Sequence, residues 1–451
     1  MTTEDESTAG ALLRSAGELN LLGTLTLELW QRTRIDWGFV TDRLADAFRA
    51  RRLGSRERRI VAETLFGMVR HARRIDEALS AGGERRVSAA PDVDRLLAYL
   101  VLETGLSPDE AARHRPGLDW RAVAAIDDGL EAIRDPAQRI ARRHSLPDWL
   151  AGRLVADWGE EAGPLAASLN ARAPMTLRAN PLRSDPDGVV EALADEGIRA
   201  SRSELASSAL QLATRTNVFS LRAFRDGLFE VQDEGSQLIA ELVAPPPKGL
   251  VVDLCAGAGG KTLALAAALE NRGRILAVDI DGRKLKELRR RARRAGASNV
   301  QAVELSPDPR AALPAPLARV EGRVDRVLVD APCTGVGALR RNPEAKWRLG
   351  EADADRLPDT QRAICERGLS LLAPGGRLIY ATCTVLSAEN QQVVRDLAAA
   401  HPELEIVPPK EIWGRERAAE LTDASGSFLE VLPHRHGTDG FFAAILRLPK
   451  T

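Results

Sequence analysis

From residue 236 to the end of the chain, short apolar runs alternate with helical patterns, and no other feature restricts the fold as strongly. The runs are LVVDLC, RILAVD, NVQAV, RVLVD, RLIYAT and, near the end, FFAAILRL. Each has strand length, and the stretches between them carry helical periodicity, so crossover helices join parallel strands. The implied architecture is α/β, a Rossmann-like doubly wound sheet covered on both faces.

Three regions precede it. Residues 1–22 begin MTTEDESTAG, a polar and acidic stretch expected to fray. Residues 23–160 show helical periodicity and no convincing strand. In SRERRIVAETLFGMVRHARRID, an ideal helix places Val61, Leu65, Met68, Ala72 and Ile75 on one side and Arg56, Arg59, Arg70, Arg73 and Arg74 on the other. That polar face reads first as solvated and second as an RNA-binding face. Residues 161–235 predict a small α+β module: MTLRANPLR is a strand, DPDGVVEALADEGI a helix, and short strands run into DGLFEVQDEGSQ. Pro245 to Pro247 form a hinge before the first strand of the sheet domain, residues 236–451.

Ligands of an open parallel sheet bind beyond the carboxyl ends of its strands, where strand order reverses. The first strand is followed by CAGAGGKT, in which Gly257, Gly259 and Gly260 let the backbone approach a ligand and the next helix offers free N–H groups. After the second strand comes Asp279, placed to accept hydrogen bonds from ribose hydroxyls. Together they indicate a nucleoside-containing cofactor, and by themselves leave NAD and S-adenosylmethionine both open. A phosphate-binding loop of the nucleotide hydrolases is excluded, because its first glycine would fall at Cys255.

The strand ends also carry Cys333, in RVLVDAPCTG, and Cys383, in RLIYATCTV, two of only four cysteines in 451 residues. There is no basic-then-apolar leader and no apolar stretch near the roughly twenty residues of a membrane span. A cytoplasmic protein with reduced thiols is expected, and such thiols are more often catalytic than disulfide partners. Zinc-type spacing is absent, so no metal is expected. The net charge of −1 announces no global field for nucleic acid, which must be met by local patches. Arg340, Arg341, Lys346 and Arg348 lie closest in sequence to the cysteine motif and are the candidates for phosphate contact. The run RRRARR at 289–294 lies on a helix whose Leu285, Leu288, Ala292 and Ala295 face one way, and suits solvent and the helix dipole as well as RNA. Only seven lysines stand against 56 arginines, so a lysine such as Lys261 marks a place where arginine does not serve.

DLCAGAGGKT, DAPCTGVGALRRNPEAKW, YATCTVLSAEN and HRHGTDGFFAAILR together resemble the RNA cytosine-5 methyltransferases of the RsmB/Sun (Fmu) family. FEVQDEGSQL resembles the segment leading into that catalytic domain, MTLRANPLR its RNA-recognition-like module, and LFGMVRHARRID the NusB-like helical RNA-binding domain. The resemblance covers roughly residues 25–448. It implies a methyltransferase domain at 236–451, S-adenosyl-L-methionine as cofactor, and methylation of carbon 5 of a cytosine in RNA, with 16S ribosomal RNA or a precursor particle as partner of a monomer.

The chemistry accounts for the residues independently. Carbon 5 of cytosine is a poor nucleophile, so a thiolate must first add at carbon 6; the methylated adduct must then lose its carbon-5 proton and expel the thiol. The residues alone leave the two roles nearly even. By resemblance, Cys383 attacks and Cys333 assists release, Asp330 hydrogen-bonds the base edge, and Lys261 positions the base or lowers a thiol pKa. The cofactor set implied is Cys255, Ala256, Gly257, Ala258, Gly259, Gly260, Lys261, Asp279, Glu304 and Asp330. Here the loop departs from the family's C-A-A-P-G-G-K, and the acid after the third strand is Glu304, with Asp308 a substitute. Cys365, in QRAICERGLSLL, reads as a core residue. A non-catalytic RNA-binding or assembly factor is the alternative from another class, and a different RNA is an alternative substrate. An NAD-dependent dehydrogenase gives the cysteines no role.

Overall fold

A computed structural model of the chain describes residues 8–13, 19–84, 86–307 and 311–450, which form two compact units. The first is helical, comprising residues up to Ala171 together with Leu339–Glu351. Its core gathers Leu29, Trp30, Leu65, Met68, Ile75, Leu96, Leu97 and Leu100 from four helices. Local chemistry sets the helix ends. Asn20 caps Leu21–Asp36 by accepting from the Leu22 and Gly23 amides, and Ser107 forms a capping box with Glu110. Gly67 lets helix Ser55–Arg70 approach helix Asp92–Thr104, since a Cβ there would lie 2.1 Å from the Tyr99 hydroxyl.

Four expectations are corrected in this unit. The acidic start contains a helix, Thr8–Leu12, whose Ala9, Ala11 and Leu12 are buried, because apolar burial outweighs the polar neighbours. The single helix expected through Asp76 breaks at His71, which ends Ser55–Arg70 and begins Ala72–Ala81. Its apolar face is buried as expected, but three arginines of its polar face are bound internally. Arg70 donates to the Arg340 carbonyl, Arg73 to that of Leu146, and Arg74 grips Asp127 with two bonds of 2.6 and 2.9 Å. Finally, helix Ala162–Asn170 buries Leu165 and Leu169 in this unit, so it extends past residue 160.

The segment Leu339–Glu351 is the largest departure. Expected to run with the sheet domain and offer cations to RNA, it belongs to the helical unit. Lys346 is 3 % exposed, and its Nζ donates to the Arg70 carbonyl at 2.8 Å and Asn170 Oδ1 at 3.1 Å. Trp347 Nε1 donates to the Val69 carbonyl, and its ring lies 5.5 Å from that of Trp37. Arg340 is 5 % exposed. Neither Arg340 nor Lys346 can therefore meet a phosphate. Arg348 lies over the Phe39 ring, and Arg341 is half exposed.

Two histidines give this unit a pH dependence. Burial, with nearby cations, pushes His71 down to about 3 and His144 down to about 4. An unfolded imidazole titrates near 6.5, so below that pH the unfolded chain binds protons that the folded unit refuses. Stability is thus expected to fall as pH drops from about 6.5 towards 4. Urea unfolding at pH 7.5 and 5 should show a lower midpoint at 5, and a His71→Gln/His144→Gln variant should show a smaller difference. An undiminished difference in the variant would contradict the assignment.

The second unit holds two sheets. Strands β1 (Thr176–Ala179), β2 (Ala200–Arg202), β3 (Ala209–Leu212) and β4 (Phe229–Val231) form an antiparallel sheet of order β2-β3-β1-β4, with helix Pro186–Asp195 capped by Asp185. The large sheet comprises β5 (Leu250–Asp253), β6 (Arg274–Asp279), β7 (Val300–Glu304), β8 (Val324–Asp330), β9 (Leu372–Thr382), β10 (Glu405–Ile406), β11 (Leu429–Val431) and β12 (Phe441–Arg447). Its order is β10-β12-β9-β8-β5-β6-β7, with β11 also on β12. β5 to β9 run parallel, and β10, β11 and β12 pair antiparallel at one end. From β5 the chain steps outward through β6 and β7, then crosses to β8 on the other side. The switch point, where an open sheet leaves a crevice, therefore lies between the carboxyl ends of β5 and β8.

Within the arginine run on helix Gly282–Ala295, Arg289, Arg290 and Arg293 are exposed, and the other two are bound internally. Arg291 and Arg294 both hold Glu230 of β4, and Arg291 also donates to the Ala258 carbonyl at 2.9 Å. The helix thereby ties the small sheet to the glycine loop.

Candidate active site

The turn after β5 is shaped by glycine. Gly257 and Gly259 take φ of +54° and +90°, where other residues are strained, and a Cβ on Gly259 would lie 2.7 Å from Leu288. Asp279, at the end of β6, fixes this turn. One carboxylate oxygen accepts from the Gly257 amide and the other from Asp281, both at 2.8 Å. Beside β6, Glu304 stands in register with Asp279 at the end of β7. Its carboxylate packs against Gly282 at the start of the next helix. Asp308 lies outside the described residues. Cys255 stays a protonated thiol, because burial and then Asp253 push it up. Ala256 donates its amide to the Val278 carbonyl, and Gly260 begins helix Gly260–Ala268.

Lys261 enters from the first turn of that helix. It is 8 % exposed, and its Nζ donates to Asp330 Oδ2 at 2.8 Å. Burial alone would weaken its ammonium, but the charge and hydrogen bond of Asp330 outweigh that and raise its pKa, with the Cys383 side chain adding to the effect. Lys261 is therefore a fixed cation between the glycine loop, Asp330 and Cys383.

The two cysteines meet. Asp330 ends β8 opposite Ala381 of β9, and the Ala331 amide continues the ladder to the Ala381 carbonyl. Cys333 and Cys383 follow on the two adjacent turns, with their Sγ atoms 3.4 Å apart. The hydrogen bond to Cys383 and burial both push the Cys333 thiol well above its usual pKa. Either sulfur can donate in that contact, so the geometry brings both thiols to one point. Gly337 donates to the Cys383 carbonyl and accepts from Gly440; a Cβ on Gly337 would lie 2.1 Å from the Gly440 carbonyl. Only glycine allows the loop before β12 to close this side of the site.

Cys383, Cys333, Asp330 and Lys261 thus converge at the switch point, with the glycine loop and Asp279 beside them. Cys365 is fully buried in the sheet core. Sequence reasoning overlooked Asp253, which accepts from Thr262 Oγ1 at 2.7 Å and which burial raises to about 7. It also overlooked Glu389, buried beneath the cysteines. Both stood within the quoted motifs, DLCAGAGGKT and YATCTVLSAEN, and the signal was an acid at a position otherwise apolar or small.

Residues 240–447 match the model described as 16S rRNA methyltransferase RsmB/F, and residues 146–219 match an RsmF/B-like ferredoxin-like domain. The chain is 34 % identical to the ribosomal RNA small subunit methyltransferase B of Sodalis glossinidius, covering 87 % of this chain and 90 % of that one. It is 30 % identical to the protein of that name from Xanthomonas campestris, covering 87 % and 89 %. The crystal structure of a methyltransferase homolog protein from Pyrococcus horikoshii superposes with a TM-score of 0.59 at 27 % identity, covering 70 % of this chain and all of that one.

Proposed function

Because the chain belongs to the RsmB/F family of 16S rRNA methyltransferases, which use S-adenosylmethionine, we propose that it methylates carbon 5 of a cytosine in 16S ribosomal RNA through a covalent adduct on Cys383. The observation that carries the carbon-5 chemistry is the pair of thiols 3.4 Å apart beside the Lys261–Asp330 pair. Methylation of a heteroatom would give neither thiol a task.

The cofactor fits the residues present. Gly257 has open space where a side chain would stand, and the Asp279 oxygens retain acceptor capacity for ribose hydroxyls. Cys255 to Gly260 would line it through backbone, Lys261 and Asp330 would flank it, and Glu304 would meet its adenosine end. When bound, S-adenosylmethionine supplies an electrophilic methyl group.

The chain's own groups do the rest. The target cytosine leaves its helix, since a stacked base cannot show its face to a thiol. Cys383 adds at carbon 6, forming a C–S bond and moving an electron pair towards carbon 5. Asp330 hydrogen-bonds the base edge and favours protonation of the ring nitrogen, while Lys261 holds Asp330 in place. After carbon 5 is methylated, a water or side-chain base takes its proton, the C–H electron pair restores the ring double bond, the C–S bond breaks, and Cys383 departs with the electron pair of that bond. Cys333 assists that reversal.

The test is incubation of the purified protein with 16S ribosomal RNA and a donor labelled in its methyl group, followed by nucleoside mass spectrometry. Labelled 5-methylcytidine is expected. Label on another base, on a ribose or on nothing would overturn the reading.

A further inference from the structure

Cys333 and Cys383 are fifty positions apart on separate turns, and beyond Ala331 the ladder between β8 and β9 no longer holds those turns together. The Gly337 amide, bonded to the Cys383 carbonyl, joins the turns from one side, and a side-chain network joins them from below. We propose that Glu389 is the positioning residue of that network: its buried carboxylate fixes the residue following Cys333 and, through it, the residue following Cys383, so that both thiols face one base. The proposal rests on the carbon-5 reading above.

Glu389 is 1 % exposed. Its Oε2 accepts from the Thr334 amide at 2.9 Å and from Gln361 Nε2 at 3.0 Å, and its Oε1 accepts from Thr334 Oγ1 at 2.5 Å. Thr334 Oγ1 lies 2.8 Å from Thr384 Oγ1, which in turn accepts from the Leu386 amide at 3.3 Å. These donors point in sequence towards the carboxylate: Leu386 to Thr384, Thr384 to Thr334, Thr334 to Glu389. Gln361 Nε2 also donates to the Pro332 carbonyl at 3.0 Å, holding the residue on the other side of Cys333. Asn390 completes the frame, donating to the Thr384 carbonyl and accepting from Thr382. Each cysteine is thus fixed by the residues on both sides of it.

The partners of the carboxylate are neutral donors, and one of them is a main-chain amide. Two acceptor oxygens serve three donors. In glutamine the amide nitrogen would either face the Thr334 and Gln361 N–H groups, setting donor against donor, or donate to the Thr334 hydroxyl, which would then have to turn its proton away and reverse the hydroxyl chain that joins the two turns. Burial raises the Glu389 pKa, a cost not expected of a residue kept only for packing.

Phenylarsine oxide reads the spacing directly, because one arsenic bridges two neighbouring thiols, forming two As–S bonds and releasing one water. Neither RNA nor methyl donor is needed, so the result stands apart from the identity of the methylated base. The wild-type protein should capture one equivalent, lost on Cys333→Ala or Cys383→Ala. Glu389→Gln should bind it about tenfold more weakly or worse, with a cooperative thermal transition retained. Methyl transfer should fall by roughly 10²-fold with little change in KM for RNA, the cost of a misplacement near 1 Å. Wild-type arsenical affinity in Glu389→Gln would overturn the proposal. If that variant does not fold, Thr334→Val decides, since it removes the hydroxyl link and leaves the amide: weakened capture supports the proposal and unchanged capture overturns it.

Discussion

A Cys383→Ala variant is expected to fold, to bind S-adenosylmethionine and to lose methyl transfer by roughly 10⁴-fold or more, since removing a nucleophile can cost about 10⁶-fold in kcat. The size of the loss follows from the substrate. Without a thiolate at carbon 6, carbon 5 has no electron pair to offer, and neither Asp330 nor Lys261 can create one. The fold should tolerate the change, because Cys383 is only partly buried at the end of β9 and its carbonyl, not its sulfur, holds Gly337. Rapid-quench measurement with labelled donor and 16S ribosomal RNA checks it. A variant with activity near that of wild type would remove Cys383 from the role.

Cys333→Ala should behave differently. Attack and methylation remain possible, but release is impaired, so protein and RNA should accumulate as a covalent adduct that survives denaturing electrophoresis. Steady-state turnover should fall by roughly 10²–10⁴-fold, the range for loss of a proton-transfer group. Cys383→Ala/Cys333→Ala should form no adduct. If the single Cys333→Ala protein forms none either, or if Cys383→Ala forms one, the roles of the two thiols are exchanged or absent. The contact at 3.4 Å is the same for either sulfur as donor, so the adduct experiment, and not the spacing, assigns the two roles.

Much of the sheet was legible in the sequence, because a strand buried on both faces must be an apolar run whatever its neighbours. The glycine loop, Asp279, Asp330 and both cysteines were legible for a related reason, all standing where such runs end. The polar faces were not. An arginine that meets solvent and one such as Arg74, which reaches Asp127 from 53 positions away, look alike in sequence. Arg291 and Arg294 were unreadable in the same way, their partner Glu230 lying in another sheet. Lys346 looked like a phosphate ligand because it stands close to the cysteine motif in sequence; the structure gives this lysine another task. A slender ammonium fits between a carbonyl and an amide oxygen where the broad fork of arginine would not.

The placement of Leu339–Glu351 bears on how such a chain can be inherited. The segment begins a few residues after Cys333, yet its side chains answer to Arg70, Val69, Trp37 and Asn170. A recombination event that exchanged only the N-terminal region would strand a lysine and a tryptophan whose partners had been replaced. The helical part and this stretch of the catalytic motif must therefore change hands together, so that an exchange at residue 171 would break bonds made by a segment 176 positions further along the chain.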